Sequence, residues 1–351
     1  MRPESRPRTL LLFALGVLAA AILFRLDILR FLGLGRKSFS TSSSAAAAAA
    51  STTTAAASKF SEMAASAQQD EAKGQVYFLS HGGPPTMFDT NSAPYKAWIK
   101  YGKAVADAKP KGLIVVSAHW ENPSNSDSVV VNEDQTNPLV YDFYGFPSEY
   151  YQQTFVSRGN NQMLSDVKDA LKGSDVRFST AKRGLDHGVW VPFKVAFAGR
   201  TDIPIIQVSL PGDSNPISAA KLGRALAPLR EQGYGIMGTG QAVHNLRDFM
   251  MGRQASYGDV FLKAASAAVA DPDPANATIN LFRHPQYRNA HPSPEHLLPL
   301  VVAAAAVEKD DKLRTLFVDP NGALGWGMWM WNQKPQVEAS AETAPATEAT
   351  A

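Results

Sequence analysis

Short apolar runs alternate along this chain with longer stretches of helical composition, and that alternation restricts the fold more than any other feature. The runs lie at residues 76–80 (Val-Tyr-Phe-Leu-Ser), 113–117, 205–210 and 235–237, and are rich in Val, Ile and aromatics. Between and after them, residues 93–108, 162–171, 216–230, 257–270 and 295–307 have the spacing of amphipathic or buried helices. Pro216 after Asn215, and Pro294 before the last segment, suit first helical turns. This rhythm predicts an α/β fold with three layers: a mostly parallel central sheet with helices on both faces. Residues 128–131 and 314–318 add further strands, the first as an antiparallel edge. The glycines form neither GxGxxG nor GxxxxGK, so nucleotide binding has no support.

The chain has 351 residues, 45% of them hydrophobic and 19% charged, ample for one core. A single catalytic domain is expected at residues 74–334. Ahead of it, the apolar run at residues 10–24 is flanked by Arg2, Arg6 and Arg8 and by Arg25, Arg30, Arg36 and Lys37. Residues 1–37 therefore read as a membrane anchor, with a mitochondrial presequence or a cleaved secretory signal as the rival readings. Residues 38–73 are dominated by Ala, Ser and Thr and read as a disordered stalk, and residues 335–351 as a disordered tail. The formal net charge is +2 with scattered basic residues, which gives no footprint for nucleic acid. Cysteine is absent, so a metal would have to be held by His, Asp or Glu.

The histidines stand where such a sheet presents its chemistry. In open α/β sheets ligands bind beyond the carboxyl ends of the strands, and His81 and His119 each end an apolar run. His81 opens His-Gly-Gly-Pro-Pro, a tight turn made rigid by its prolines. His187 sits among Gly184, Asp186 and Gly188, in what reads as a mobile or close-approach loop whose carboxylate could set the imidazole tautomer. His244 follows a strand and a Gly-rich turn, near a helix start. His291 and His296 head the last helix and could line the same crevice, whereas His284 reads as surface. Glu295 is a spare carboxylate, equally explained by helix-terminus stabilisation. Trp120, Tyr141, Phe143, Tyr144 and Trp190 could wall a flat substrate, or simply pack a core or lid. No two histidines have HExxH spacing, so a metal site would need convergence over long range.

Taken in order, HGGPP at His81, SAHWE at His119, GLDHGVWVPF at His187, GTGQAVHNLRD at His244 and HPSPEHLLPL at His291 resemble the class III extradiol ring-cleaving dioxygenases. The set is most similar to their DOPA 4,5-dioxygenase branch and spans residues 74–331. The resemblance implies one non-haem Fe(II) per subunit, or Zn(II) as some isolated members carry. It implies His81, His119 and His244 as metal ligands, with His187 as the acid/base group or a further ligand. It also implies a catechol-type substrate and O2, the ring opening beside rather than between its hydroxyls. Two other readings use the same histidines: a zinc-dependent hydrolase, and a catalytically inactive membrane-tethered binding module.

Overall fold

A computed structural model describes residues 73–332. The expected anchor, stalk and tail lie outside the described residues, apart from Lys73 at the end of the stalk. Among the described residues, no helix is long and apolar enough to cross a membrane.

The four apolar runs all become strands: β1 (Val76–Ser80), β2 (Gly112–Glu121), β5 (Ile205–Leu210) and β6 (Tyr234–Gly240). With β3 (Val129–Asn132), β4 (Phe178–Ala181), β7 (Lys312–Asp319) and β8 (Trp326–Asn332) they form one eight-stranded sheet, in the order β4-β3-β5-β2-β6-β1-β8-β7. The central neighbours β5, β2, β6 and β1 run parallel. β8 is antiparallel to β1, and β7 to β8. β3 does run antiparallel to β5, but it is not the edge, because β4 pairs outside it.

Alternate residues of the central strands feed two cores. Val76, Phe78, Ile114, Val116 and Ile236 point to one face, where they meet α2 (Asn161–Lys172), α4 (Pro216–Leu226), α6 (Ser256–Val269) and α9 (Leu298–Ala305). Tyr77, Leu79, Leu113, Val115 and Met237 point to the other, beneath α1 (Ala93–Asp107) and α3 (His187–Ala196). The expected three-layer architecture is thus the observed one. Each of the central strands β1, β2, β5 and β6 is buried on both faces, which is why its sequence is almost continuously apolar.

Helix caps explain several boundaries. Asn160 and Asn215 accept backbone N–H bonds from Met163 and Ile217, and Pro216 occupies the first turn after its cap. The last helix begins later than expected. Pro294 lies in a turn whose carbonyl accepts Leu297 and Leu298 N–H, and Pro299 takes the first-turn role. Three short helices complete the order: α5 (Leu246–Met250), α7 (Pro274–Asn280) and α8 (Tyr287–Ala290).

Candidate metal centre

Three parallel neighbours deliver three histidines to one end of the sheet. β2, β6 and β1 lie side by side; His81 follows β1 directly, His119 lies near the end of β2, and His244 comes shortly after β6. His119 is inside its strand, not beyond it. The β2–β5 register shifts between Val116 and Glu121, so the strand is irregular where His119 stands.

Two further imidazoles are drawn in by close backbone approaches. The N–H of Gln241 donates to the His296 carbonyl at 3.0 Å, and a Cβ at Gly240 would lie 2.3 Å from that oxygen. A glycine there lets the turn before α9 reach the end of β6. His187 is the first residue of α3, with Asp186 as its N-cap. Its glycines serve close packing, not mobility: a Cβ at Gly184 would lie 1.9 Å from the Pro138 carbonyl oxygen, and one at Gly188 2.7 Å from Ser117 Oγ.

Ring centroids of His119 and His187 are 3.9 Å apart, those of His81 and His119 4.8 Å, and those of His119 and His296 4.9 Å. His81 and His296 are separated by 5.2 Å. His244 stacks on His296 at 3.5 Å with an interplanar angle of 11°. The ligating atoms of His81, His119 and His296 all lie within 4.8 Å of one another. The same holds for His119, Asp142 and His187, and for His244, Glu295 and His296.

The hydrogen bonds fix where the lone pairs are. His81 Nδ1 is 2.7 Å from the Gly82 carbonyl, which can only accept, so Nδ1 carries the proton and Nε2 keeps its lone pair. That Nε2 is buried without a partner, as is His119 Nε2. Buried nitrogens left unpaired are costly, and a metal ion would satisfy both. His296 Nδ1 faces Glu295 Oε1 at 2.9 Å and by the same logic donates to it.

Burial keeps these rings neutral. It lowers the His81 and His244 pKa values to about 3, with His187 adding to the effect at His81 and His81 at His244. His119 and His296 are held well below the ordinary imidazole value by burial first and by neighbouring histidines second.

Asp142 is the residue that sequence reasoning missed. Its Oδ1 accepts the His187 backbone N–H at 2.9 Å and lies 2.9 Å from His187 Nδ1, off the axis of a hydrogen bond, while its Oδ2 is 3.6 Å from His119 Nδ1. Burial acts to raise the Asp142 pKa, but the His187 ring and backbone N–H outweigh it and hold the carboxyl below its ordinary range. The one signal was a lone acid in the aromatic stretch Tyr141-Asp142-Phe143-Tyr144. Pairing of Val140 N–H with the Leu185 carbonyl, and of Leu185 N–H with the Pro138 carbonyl, brings that stretch beside His187.

The other expected residues fall outside the cluster or at its margin. His291 is buried behind it, its Nε2 3.0 Å from the Ala242 carbonyl and its ring against Phe261 and Tyr287. Trp190 is fully buried in the core and donates to the Val140 carbonyl at 3.0 Å. Phe143 reaches His187, with ring centroids 5.8 Å apart. Trp120 lies under the Arg183 guanidinium, and Tyr144 is 87% exposed.

Comparison with known proteins agrees with this geometry. Residues 75–327 match the family described as the catalytic LigB subunit of aromatic ring-opening dioxygenase. The chain belongs to that family. It is 32% identical over 254 residues to a 4,5-DOPA dioxygenase extradiol of Beta vulgaris, covering 71% of this chain and 93% of that one. It is 38% identical over 262 residues to a 4,5-DOPA dioxygenase extradiol-like protein of Schizosaccharomyces pombe, covering 68% and 86%. The crystal structure of an uncharacterized protein from Escherichia coli K12 shares the fold, with a TM-score of 0.60 at 23% identity over 74% of this chain and 99% of the other. The protein is thus a member of an extradiol ring-opening dioxygenase family, an oxidoreductase class acting on aromatic substrates with O2.

Proposed function

We propose that the domain opens the ring of a catechol-type substrate at a non-haem Fe(II) held by His81, His119 and a third imidazole from the His244–His296 pair. The observation that carries this reading is the pair of buried, unpartnered Nε2 atoms on His81 and His119. Distance favours His296 as the third ligand, because its ligating atom lies within 4.8 Å of those on His81 and His119. The sequence resemblance favours His244, which stacks directly on it. When bound, the ion supplies a common point where a chelating catechol and O2 meet.

The chain's own groups supply the rest. His187 takes a phenolic proton at an imidazole nitrogen and returns it to the product, and the Asp142 carboxylate beside its ring stabilises the imidazolium formed in between. Asp142 also fixes the backbone of His187, so base and counter-charge are positioned together. Phe143, against His187, offers an apolar edge to the substrate ring. Glu295 orients His296 and increases the basicity of its other nitrogen.

The test is anaerobic purification with metal analysis, then oxygen uptake against a panel of catechols. The iron-loaded protein should consume one O2 per ring opened. His187→Ala should retain the metal and bind catechol yet turn over at least ~100-fold more slowly, the scale of a lost acid/base group. Oxygen-independent hydrolysis of an ester or amide by the zinc form, with no uptake on any catechol, would overturn the proposal.

A further inference from the structure

A buried carboxylate outside the ligand set ties together His119 and His187, whose ring centroids are 3.9 Å apart. Asp186 is completely buried, and its side-chain hydrogen bonds go to Ser117, Arg183 and Gln207, not to the ring of its neighbour His187. Its side chain points the other way, into β2. Oδ1 accepts the Ser117 hydroxyl at 2.7 Å, and Ser117 Oγ in turn accepts the His119 backbone N–H at 3.1 Å. Oδ2 accepts Arg183 Nη1 at 3.1 Å, and Arg183 Nη2 donates to the His119 carbonyl at 3.1 Å. Both peptide groups of His119 are therefore held by one carboxylate, through a hydroxyl on one side and a guanidinium on the other. Gln207 Nε2 donates to Oδ2 as well, from β5, but makes no link to His119.

The same residue sets His187. Its carbonyl accepts the N–H groups of Val189 and Trp190, which makes it the N-cap of α3 and His187 the first helical residue. Gly188 closes the arrangement: a Cβ there would lie 2.9 Å from His119 Cδ2 and 3.2 Å from Asp186 Oδ1.

We infer that Asp186 is a positioning residue that fixes His119 and His187 relative to each other, through Ser117 and Arg183 on one side and the helix cap on the other. The irregular stretch of β2 that carries His119 lacks a continuous ladder with β5 between Val116 and Glu121, so the clamp replaces the missing strand register. Buried charge of this kind is useful for orientation rather than for net stability. The inference rests on the proposed metal site, whose ligands it orients.

Metal affinity, measured by chelator competition on the full chain, separates orientation from stability. The clamp requires Asp186→Asn, which swaps an acceptor for a donor, and Ser117→Ala, which cuts one link, each to weaken Zn(II) or Co(II) binding by about 10–100-fold and to alter the visible spectrum of bound Co(II). Gln207→Leu removes a donor to the same carboxylate without touching the links to His119. It should lower the thermal midpoint yet leave metal affinity within about threefold of wild type, a contrast that a purely structural role would not produce. Wild-type affinity in Ser117→Ala, or an equal loss in Gln207→Leu, overturns the clamp while leaving the metal site standing. If Asp186→Asn fails to fold, the Ser117 and Gln207 variants decide the matter alone. A wild-type chain that binds no metal overturns both readings.

Discussion

Lowering the pH from 7.5 to 5.5 should destabilise the metal-free domain steeply, for reasons that lie in the histidine cluster. Burial holds His81 and His244 at pKa values of about 3 in the folded state, against about 6.5 in an unfolded chain. The unfolded state therefore binds more protons everywhere between those values, and stability falls as pH falls. At pH 7.5 an unfolded imidazole is mostly neutral and the effect is near zero. At pH 5.5 it is mostly protonated, which favours unfolding by about 1.4 kcal/mol per group, or ~3 kcal/mol for the pair. The result depends only on the folded values lying well below 5.5. His119 and His296, also held well below the ordinary value, act in the same direction, and ~3 kcal/mol from the pair alone is already a large share of a typical domain stability of about 5–15 kcal/mol. Asp142 works in the opposite pH range, since its lowered pKa stabilises the fold above the ordinary carboxylate value and is lost only below it. Guanidinium unfolding of chelator-treated protein at pH 7.5, 6.5 and 5.5 measures the slope. A change below about 1 kcal/mol across that window would show that the buried imidazoles are not held neutral as the geometry requires.

Other perturbations test the site from different sides. His119→Ala should lose most bound metal while the domain stays folded, and equal metal content in variant and wild type would remove His119 from the ligand set. Gly240→Ala places a Cβ 2.3 Å from the His296 carbonyl oxygen. It should cost ~1–3 kcal/mol in unfolding experiments, as overpacking does, and weaken metal binding, whereas an unchanged variant would show that the turn before α9 is free to move. For the N-terminal region, removing residues 1–66 should give a soluble, active enzyme, and the full chain should stay with membranes through a high-salt or alkaline wash because apolar burial is not screened by salt. Release by that wash would point to a cleaved targeting signal instead.

The strands were legible because each central one is buried on both faces, so β1, β2, β5 and β6 read as unbroken apolar runs. β4 and β8 were not read as strands, for different reasons. Phe178-Ser179-Thr180-Ala181 lies at an edge and is half-buried, so little in its composition marks it. Trp326 to Asn332 is fully buried but carries Gly, Met and three Trp in place of branched aliphatics. The helix that starts at His187 was hidden by Gly188 and Pro192 in a segment of ten residues. Both residues weaken helical periodicity, yet Pro192 is tolerated and Gly188 is required by the contact with His119.

Pattern along the chain reports which residues stand at strand ends, and so it found His81, His119 and His244; it does not report which carboxylate each imidazole meets. Asp186, adjacent to His187 in sequence, turns away to Ser117 and Arg183, while Asp142, distant in sequence, contacts the His187 ring. Glu295 likewise faces His296 Nδ1. The buried imidazoles of His81, His119, His244 and His296 thus form an inner ring of neutral donors, with the Asp142 and Glu295 carboxyl groups just outside it. Such an arrangement would balance a bound dication without making either acid a required ligand. It also leaves one of them, Asp142, beside the only histidine of the cluster at a helix start. The same carboxylate accepts the backbone N–H of His187, the first residue of α3, so one acid meets both the helix terminus and the imidazole it presents.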